Sequence, residues 1–440
     1  MSIINNTDFL CDNVSADENG HLTFAGQDTT ELAKEYGTPL YLMDEERIRN
    51  RCRTYIKGLR DAFGDKGQAL FASKAASFKR IYEIMREEGM GIDVVSSGEI
   101  CTALKAGFPL SKAYFHSNNK TDADIAYAIE NGIGHFVVDN EEELYAIDTE
   151  AQKQGIRQKV MLRITPGIDP HTFAEVATGK VDSKFGSAIE TGQAEEMVKI
   201  ALSLESISLS GFHCHVGSQV FDSDVFLRAA DVMLDFIADM KQKFGFSPEK
   251  LDLGGGYGVR YKAEDPHIDI YDNILQVGAF VKEKVAKLGI DMPEISLEPG
   301  RSIVADAGMT LYTVGTVKRI PEFINYVSVD GGMTDNVRFA MYGAPYTLFA
   351  AGKLNEKADM ECSVVGRCCE SGDIIQEKVM MPESICRGDF LACLTTGAYN
   401  YSMASNYNKI PRPPIVMLNE GKSYVAVRRE TIEDLTMYDV

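Results

Sequence analysis

The chain has 440 residues, 45% of them hydrophobic and 25% charged, the profile of a soluble globular protein with room for two or three domains. Its formal charge of −20 repels phosphate backbones and anionic lipid surfaces, which argues against nucleic-acid and membrane partners. No apolar run approaches a membrane span, and the stretch MSIINNTDFLCDNVSADENG shows neither a basic nor an apolar signal segment. The 9 scattered cysteines, odd in number, therefore read as reduced thiols of a cytoplasmic protein, and the Asn13-Val14-Ser15 glycosylation pattern as chance.

In chain order, HLTFAG (21–26) reads as an early strand. From about residue 68 to 300 one pattern then recurs: a short apolar run ending in polar residues or glycine, followed by a longer helical stretch. The runs are ALFAS (69–73), GIDVVS (91–96), AYFHS (113–117), HFVVD (135–139), KVMLRI (159–164), LSGFHCHV (209–216), KLDLGGG (250–256) and EISLEPG (294–300). Between them, segments such as Ala229–Lys241 and Ile274–Leu288 carry helical periodicity. Runs this apolar suit strands buried on both faces. Alternation also fits an open doubly wound sheet, but eight units over about 250 residues is the count of a closed (β/α)8 barrel. After about residue 305, TLYTVGTV, NYVSVDGG, ECSVVGRC, DFLACLTTG and the pair PPIVML/SYVAVRR joined by NEGK read as strands and turns. The expected division is a TIM-like barrel over 36–305 and a mostly-β domain over 306–440, with a strand contribution from 1–35.

Chemically useful residues stand just past the runs: Lys74, Ser96, His116, Asp139, His215, Gly254-Gly255-Gly256 and Glu298. In a barrel the C-terminal rim of the strands is where active sites form. Polar loops would explain some of these residues, but hardly all. Lys74 ends a buried strand, where desolvation would lower its pKa and suit it to imine chemistry; a lysine simply reaching out to water is the plainer reading. The glycines of DLGGGYG (252–258) let backbone N–H groups approach a phosphate closely, although a tight turn needs them too. Zinc at His213 and His215 lacks a convincing third ligand in the sequence. A lysine, a phosphate cradle, an aromatic ring and an acid on one rim meet the needs of pyridoxal 5'-phosphate.

FASKAASF, GIDVVSSGEI, DSKFG, HCHVGSQ, LDLGGGYG, EPGRSIVA, GRCCESGD and GAYNYSMASNYN occur in this order, and over residues 35 to 415 the chain resembles the diaminopimelate decarboxylases, barrel-type pyridoxal phosphate enzymes. The resemblance implies that Lys74 holds the cofactor as a Schiff base, His215 stacks on its ring and Glu298 pairs with the ring nitrogen. Ser218, Gly255, Gly256, Gly300 and Arg301 would contact the phosphate, Asp93 would stand near the lysine, and Tyr399 would reach cofactor and substrate. Arg301, Arg338 and Tyr342 match positions that bind the distal carboxylate of the substrate, Glu370 its distal ammonium. Cys369 is the implied proton donor, on a loop that enters the site of the partner subunit in a homodimer. The implied reaction converts meso-2,6-diaminopimelate to L-lysine and CO2.

Phe173 stands where the family pattern leads one to expect a polar residue, often histidine, and MTDNVRFAMYGAPYTLFA departs from the commoner form of that segment. Two other functions compete: a decarboxylase for another basic or dicarboxylic amino acid, and a non-catalytic relative acting as a binding partner. Glu-Ser-Gly-Asp after Cys369, with Arg301 and Arg338, favours diaminopimelate over the first. Lys74, His215, Glu298 and Cys369 together speak against the second. In GRCCESGD itself, Cys369 is read as the functional thiol and Cys368 as packing, on the expectation that neighbours on a strand point opposite ways.

Overall fold

The computed structural model describes residues 9–168 and 183–440, so the departure at Phe173 lies outside the described residues. The chain divides into two units, Arg51–Gly258 with His267–Ser302, and Met1–Asn50 with Val259–Pro266 and Ile303–Val440.

The first unit is a closed barrel. Its strands are β1 (Gly67–Ala72), β2 (Gly91–Val94), β3 (Ala113–Phe115), β4 (His135–Val138), β5 (Gln158–Thr165), β6 (Ile207–His213), β7 (Lys250–Asp252) and β8 (Glu294–Leu297). Each pairs in parallel with the next, and β8 returns to β1 through Ile295↔Gly67. That last pairing excludes the open sheet. All eight runs read in the sequence are these strands.

The barrel's helices show why they form where they do. Ser223–Phe244 starts at Asp222, whose side chain accepts from the Asp224 N–H, and stops at Gly245 in the left-handed region. Its buried residues Val225, Phe226, Ala229, Ala230, Met233, Leu234 and Ile237 recur at three- and four-residue spacing, the stripe that packs on the barrel. Phe71, Phe115, Phe136 and Phe212 are fully buried, each contributing about 1.5–3 kcal/mol of transfer free energy.

The second unit is built on a sheet in which Leu40–Asp44 is central: it pairs antiparallel with Gly308–Arg319 and parallel with Ile415–Asn419. Gly308–Arg319 continues to Asn325–Val329, then Ala358–Val365 and Ile374–Pro382. The NEGK turn is a tight hairpin, with Glu420 and Gly421 both at positive φ. The expected strand in HLTFAG forms at Leu22–Phe24, in a three-stranded sheet with Val14–Ala16 and Gln27–Asp28. Leu22 and Phe24 share one core with Leu40, Leu42, Met309 and Leu311, so this segment joins the unit by packing.

GRCCESGD corrects one expectation. The motif lies in the turn between Ala358–Val365 and Ile374–Pro382, not on a strand. Strand alternation therefore does not decide which of its thiols points where. Among the described residues no helix is long and apolar enough to cross a membrane.

Gly211 marks where the barrel is tightest on its side chains. A Cβ there would fall 2.0 Å from the Lys250 carbonyl oxygen on the neighbouring strand, an atom held by the ladder. Gly211→Ala should destabilise the protein by about 1–3 kcal/mol, read as a lower unfolding midpoint in denaturant. An unchanged midpoint would show that the two strands separate freely.

Candidate active site

The residues past the strand ends gather at one end of the barrel. Lys74 sits in a single turn, Ser73–Ala75, directly after β1. The Ser73 N–H donates to Asp93 Oδ1 on β2 at 3.1 Å, tying the lysine turn to the next strand. The lysine side chain is exposed, whereas its strand-end position suggests burial. It stands within electrostatic range of Asp93, Glu99, His213 and His215.

Glu298, buried just past β8, lies between two imidazoles. His116 Nε2 is 2.7 Å from one carboxylate oxygen, and His213 Nε2 is 3.0 Å from the other. Burial alone would raise the carboxyl's pKa, but the two histidines outweigh it and hold Glu298 well below the usual range. Burial meanwhile pulls His116 down to about 4 and His213 down as well, against the attraction of Glu298. At neutral pH the cluster is thus one carboxylate between two neutral rings: it accepts from His213 as an Nε2–H tautomer, while His116 Nε2 lies close to the other oxygen without hydrogen-bond geometry. The three residues offer donor atoms within 4.8 Å of one another, a set a metal could use. The sequence conceals it, because His116 follows β3 and His213 ends β6. Here His213 and Glu298 pair directly, and His116 Nε2 and Glu298 Oε1 face each other without a hydrogen bond.

His215 follows on the same β6 extension, and its Nδ1 accepts from the Gly255 N–H at 3.3 Å. Burial, then the Lys74 charge, pushes its pKa well below that of a free histidine. The glycine turn beside it exists because nothing larger fits. A Cβ on Gly255 would stand 2.1 Å from the Glu298 carbonyl oxygen, and one on Gly256 2.2 Å from that of Gly217. Opposite them, Arg301 donates to Ser218 Oγ from Nε at 3.2 Å and from Nη2 at 2.9 Å. The Gly256 N–H has no acceptor among the described residues. Gly300 lets the EPGR turn lie on the lysine turn, where a Cβ would come 2.8 Å from that of Ala72.

Of the expected residues, the barrel brings together Lys74, Asp93, His215, Ser218, Gly255, Gly256, Glu298, Gly300 and Arg301. Sequence reasoning missed three others. Asp252 ends β7, with Oδ1 on the Gly254 N–H at 2.7 Å, and its carboxyl is pushed well up by burial and by Glu298. Glu99 is raised to about 7 by burial; in SSGE it looks like a helix-capping acid, and its Oε2 does accept from the Val95 N–H. Arg163 on β5 stacks its guanidinium 4.4 Å from the Phe185 ring. A cation inside the apolar run KVMLRI was a readable signal.

The second unit holds Arg338, Tyr342, Cys369, Glu370 and Tyr399. Arg338, 4% exposed, donates from Nη1 to Tyr346 at 2.7 Å and from Nε to Tyr342 at 3.3 Å. Its guanidinium also lies 4.7 Å from the Tyr261 ring centre. Among the described residues it pairs with no carboxylate. Cys369 and Glu370 are exposed; the Cys369 N–H donates to Asn408 at 2.8 Å. Asp373 organises their turn by accepting from the N–H groups of Met333 at 2.6 Å and Cys368 at 2.7 Å. The Cys368 thiol is pushed up to about 11, by burial and then by Asp373. Tyr399 adopts a left-handed φ of 63°.

These geometries have counterparts among known proteins. A family model described as the pyridoxal binding domain of pyridoxal-dependent decarboxylases matches residues 45–305. The diaminopimelate decarboxylase of Bacillus methanolicus is 45% identical over 413 residues, covering 94% of this chain and 95% of its own. That of Bacillus subtilis is 43% identical, with 98% of each chain covered. The crystal structure of the M. jannaschii diaminopimelate decarboxylase in complex with L-lysine superposes with a TM-score of 0.90 at 34% identity, over 98% of each chain. The fold and the barrel rim are thus those of the pyridoxal-dependent decarboxylases, a class of lyases that work through pyridoxal 5'-phosphate. Within that class, the chain belongs to the diaminopimelate decarboxylase family.

The site suits that cofactor on three counts. Lys74 presents an exposed amine, and Glu298 is anionic, its two oxygens offering about four lone-pair sites, one of them taken by His213 and Oε1 left without a hydrogen-bond partner among the described residues. Ser218, Arg301 and the open Gly256 N–H form a cradle for a phosphate.

His116 and Glu298 both titrate lower in the folded protein than when free. The native state therefore binds fewer protons below pH 6.5, and the stability this gives is lost as pH falls toward 4. His116→Asn should flatten the acid limb of a stability-against-pH curve, removing on the order of 3 kcal/mol of its span. Parallel curves for the two proteins would contradict the pairing.

Proposed function

We propose that the protein removes one carboxylate of meso-2,6-diaminopimelate, releasing L-lysine and CO2 as the last step of lysine biosynthesis. The observation that carries this reading is Arg338, a buried guanidinium in a tyrosine cage with no carboxylate of its own. Diaminopimelate has a full amino-acid group at each end, so the end that does not react brings the carboxylate such a group recognises. Ornithine and arginine lack one. In this reading the barrel unit binds the cofactor, and the β unit carries the substrate and dimer contacts. Its Tyr342 helps seat the distal carboxylate, Glu370 takes the distal ammonium, and Tyr399 closes on cofactor and substrate.

Pyridoxal phosphate, when bound, supplies the sink for the electron pair left as the Cα–carboxylate bond breaks. Lys74 Nζ is the amine that holds it. Glu298 would keep the ring nitrogen protonated, His215 would supply an aromatic face for the ring, and Asp93 fixes the Lys74 turn through the Ser73 N–H. Ser218, Gly255, Gly256, Gly300 and Arg301 hold the phosphate; Arg301, being engaged with Ser218 Oγ, serves the phosphate first and a substrate carboxylate second. Cys369 Sγ–H then hands its proton to Cα, with Lys74 assisting. Because Cys369 and Glu370 are exposed on their own chain, they are free to complete the site of a second copy, so the working form is a homodimer. Nine free thiols fit the reducing cytoplasm as its location.

Lys74→Ala should abolish the borohydride-sensitive absorbance and CO2 release from meso-diaminopimelate. A chromophore that persists in this variant, or CO2 released only from ornithine or arginine, would overturn the assignment. Cys369→Ala should cut turnover by about 10²–10⁴-fold, while Cys368→Ala leaves it near wild type.

The two inactive chains also test the partner loop. If Cys369 acts across a dimer, mixing the Lys74→Ala and Cys369→Ala proteins under exchange conditions should restore about a quarter of wild-type activity, because half the dimers then hold one intact site. No recovery in a mixture shown to exchange subunits would place the thiol in its own chain's site.

A further inference from the structure

The end of the barrel opposite the Lys74 rim holds a cavity of about 320 Å³. It opens at the N-terminal ends of the strands, with His135, the first residue of β4, on its wall. Tyr114 and His135 are register partners on β3 and β4, and their rings stack with centres 4.5 Å apart and planes 4° from parallel. Lys250 and Glu294 are register partners on β7 and β8 and form an ion pair.

Two features of this cavity are unusual for a fold that uses only its opposite rim. His135 is 6% exposed, and among the described residues neither of its ring nitrogens has a hydrogen-bond partner. A buried imidazole has a donor and an acceptor to satisfy, and native folds seldom leave both unmade. Second, Lys112 and Lys159 line the cavity with no acidic partner among the described residues. With Lys250 they bring three ammonium groups against two carboxylates, Asp65 and Glu294, in a chain whose formal charge is −20. Burial, then the charges of Lys250 and Lys159, holds His135 down to about 3. The ring is thus neutral and adds no charge of its own.

We propose that this mouth binds a small multivalent oxyanion, of the kind carried by phosphate esters and polycarboxylates. Its oxygens would accept from the His135 N–H and from the ammonium groups of Lys112, Lys159 and Lys250, with the Tyr114–His135 stack as the wall. At about 30 Å³ per water-sized group the cavity holds a ligand of roughly ten non-hydrogen atoms. That admits inorganic phosphate whole and the larger part of citrate at the open mouth, and falls well short of a nucleotide.

The test uses holoenzyme, so that the phosphate cradle at the other end is filled. Inorganic phosphate and, separately, citrate are titrated at ionic strength held constant with chloride, followed by calorimetry and by the ¹⁵N signals of labelled histidine. At least one anion should bind saturably below about 10 mM and move the His135 signals. Binding should weaken at least about tenfold in the Lys112→Gln/Lys159→Gln double variant, whose side chains are exposed and whose anion-free turnover should match wild type. Saturation by phosphate alone points to a phosphate ester as the source, by citrate alone to a polycarboxylate. Saturation by neither, equal affinity in the double variant, or unmoved His135 signals would overturn the proposal.

Discussion

Glu298 keeps a negative charge in a place where burial alone would protonate it, and the groups around it take their protonation states from that fact. His213 is a neutral donor to one of its oxygens at 3.0 Å, and the neutral His116 ring stands 2.7 Å from the other. Asp93 and Asp252, buried within range of the same charge, are pushed the other way by burial and by Glu298. The three acids thus differ in the direction in which the barrel end shifts them. Environments that drive neighbouring titratable groups apart are how a single site assigns one role to each. A pyridine nitrogen brought against that one carboxylate stays protonated, the condition for an electron sink.

The backbone makes the other half of the site, and its constraint is space. Gly254 at φ 70° and Gly256 at φ 116° turn the chain after β7 into conformations that side chains resist. Gly255 passes so close to the Glu298 carbonyl that only hydrogen fits between them. The turn after β7 is thereby locked to the turn after β8, and Gly300 locks the latter to the Lys74 turn through Ala72. The Ala72 N–H closes the same joint by donating to the Pro299 carbonyl at 3.0 Å. Phosphate cradle, acid and lysine are thus three parts of one packed backbone element, able to hold their spacing while substrate comes and goes.

Much of this was legible because a parallel barrel writes itself plainly. Strands buried on both faces are apolar throughout, so each of the eight runs stood out, and the useful residues fell one or two positions beyond them. What was hidden has physical reasons. Leu40–Asp44 (LYLMD) is as apolar as the barrel strands and precedes them, but its partners Gly308–Arg319 and Ile415–Asn419 lie hundreds of residues away. Nothing local marks a pairing of that range. Asp252 and Glu99 carried ordinary local explanations, a strand end and a helix cap, which masked the placement of Asp252 near Glu298 and of Glu99 near Lys74. His116 and His213 could not be joined from sequence, since they become neighbours only when the sheet closes.

Arg338 shows why the β unit needs arginine in particular. Its charge is buried, and burial pulls its pKa down, yet Tyr261, Tyr346 and Tyr342 around it more than reverse that shift. The rings offer faces and hydroxyl oxygens, which support a cation without neutralising it. A lysine in the same cage would be a point charge with no plane to stack and one rotating cluster of donors. A planar guanidinium keeps a fixed fork, and with Nη1 and Nε already engaged by tyrosine hydroxyls its rotation is spent. The N–H groups not engaged by tyrosines have the planar geometry that a carboxylate matches. A cage that fixes a cation but, among the described residues, supplies no carboxylate favours ligands that bring the anion themselves.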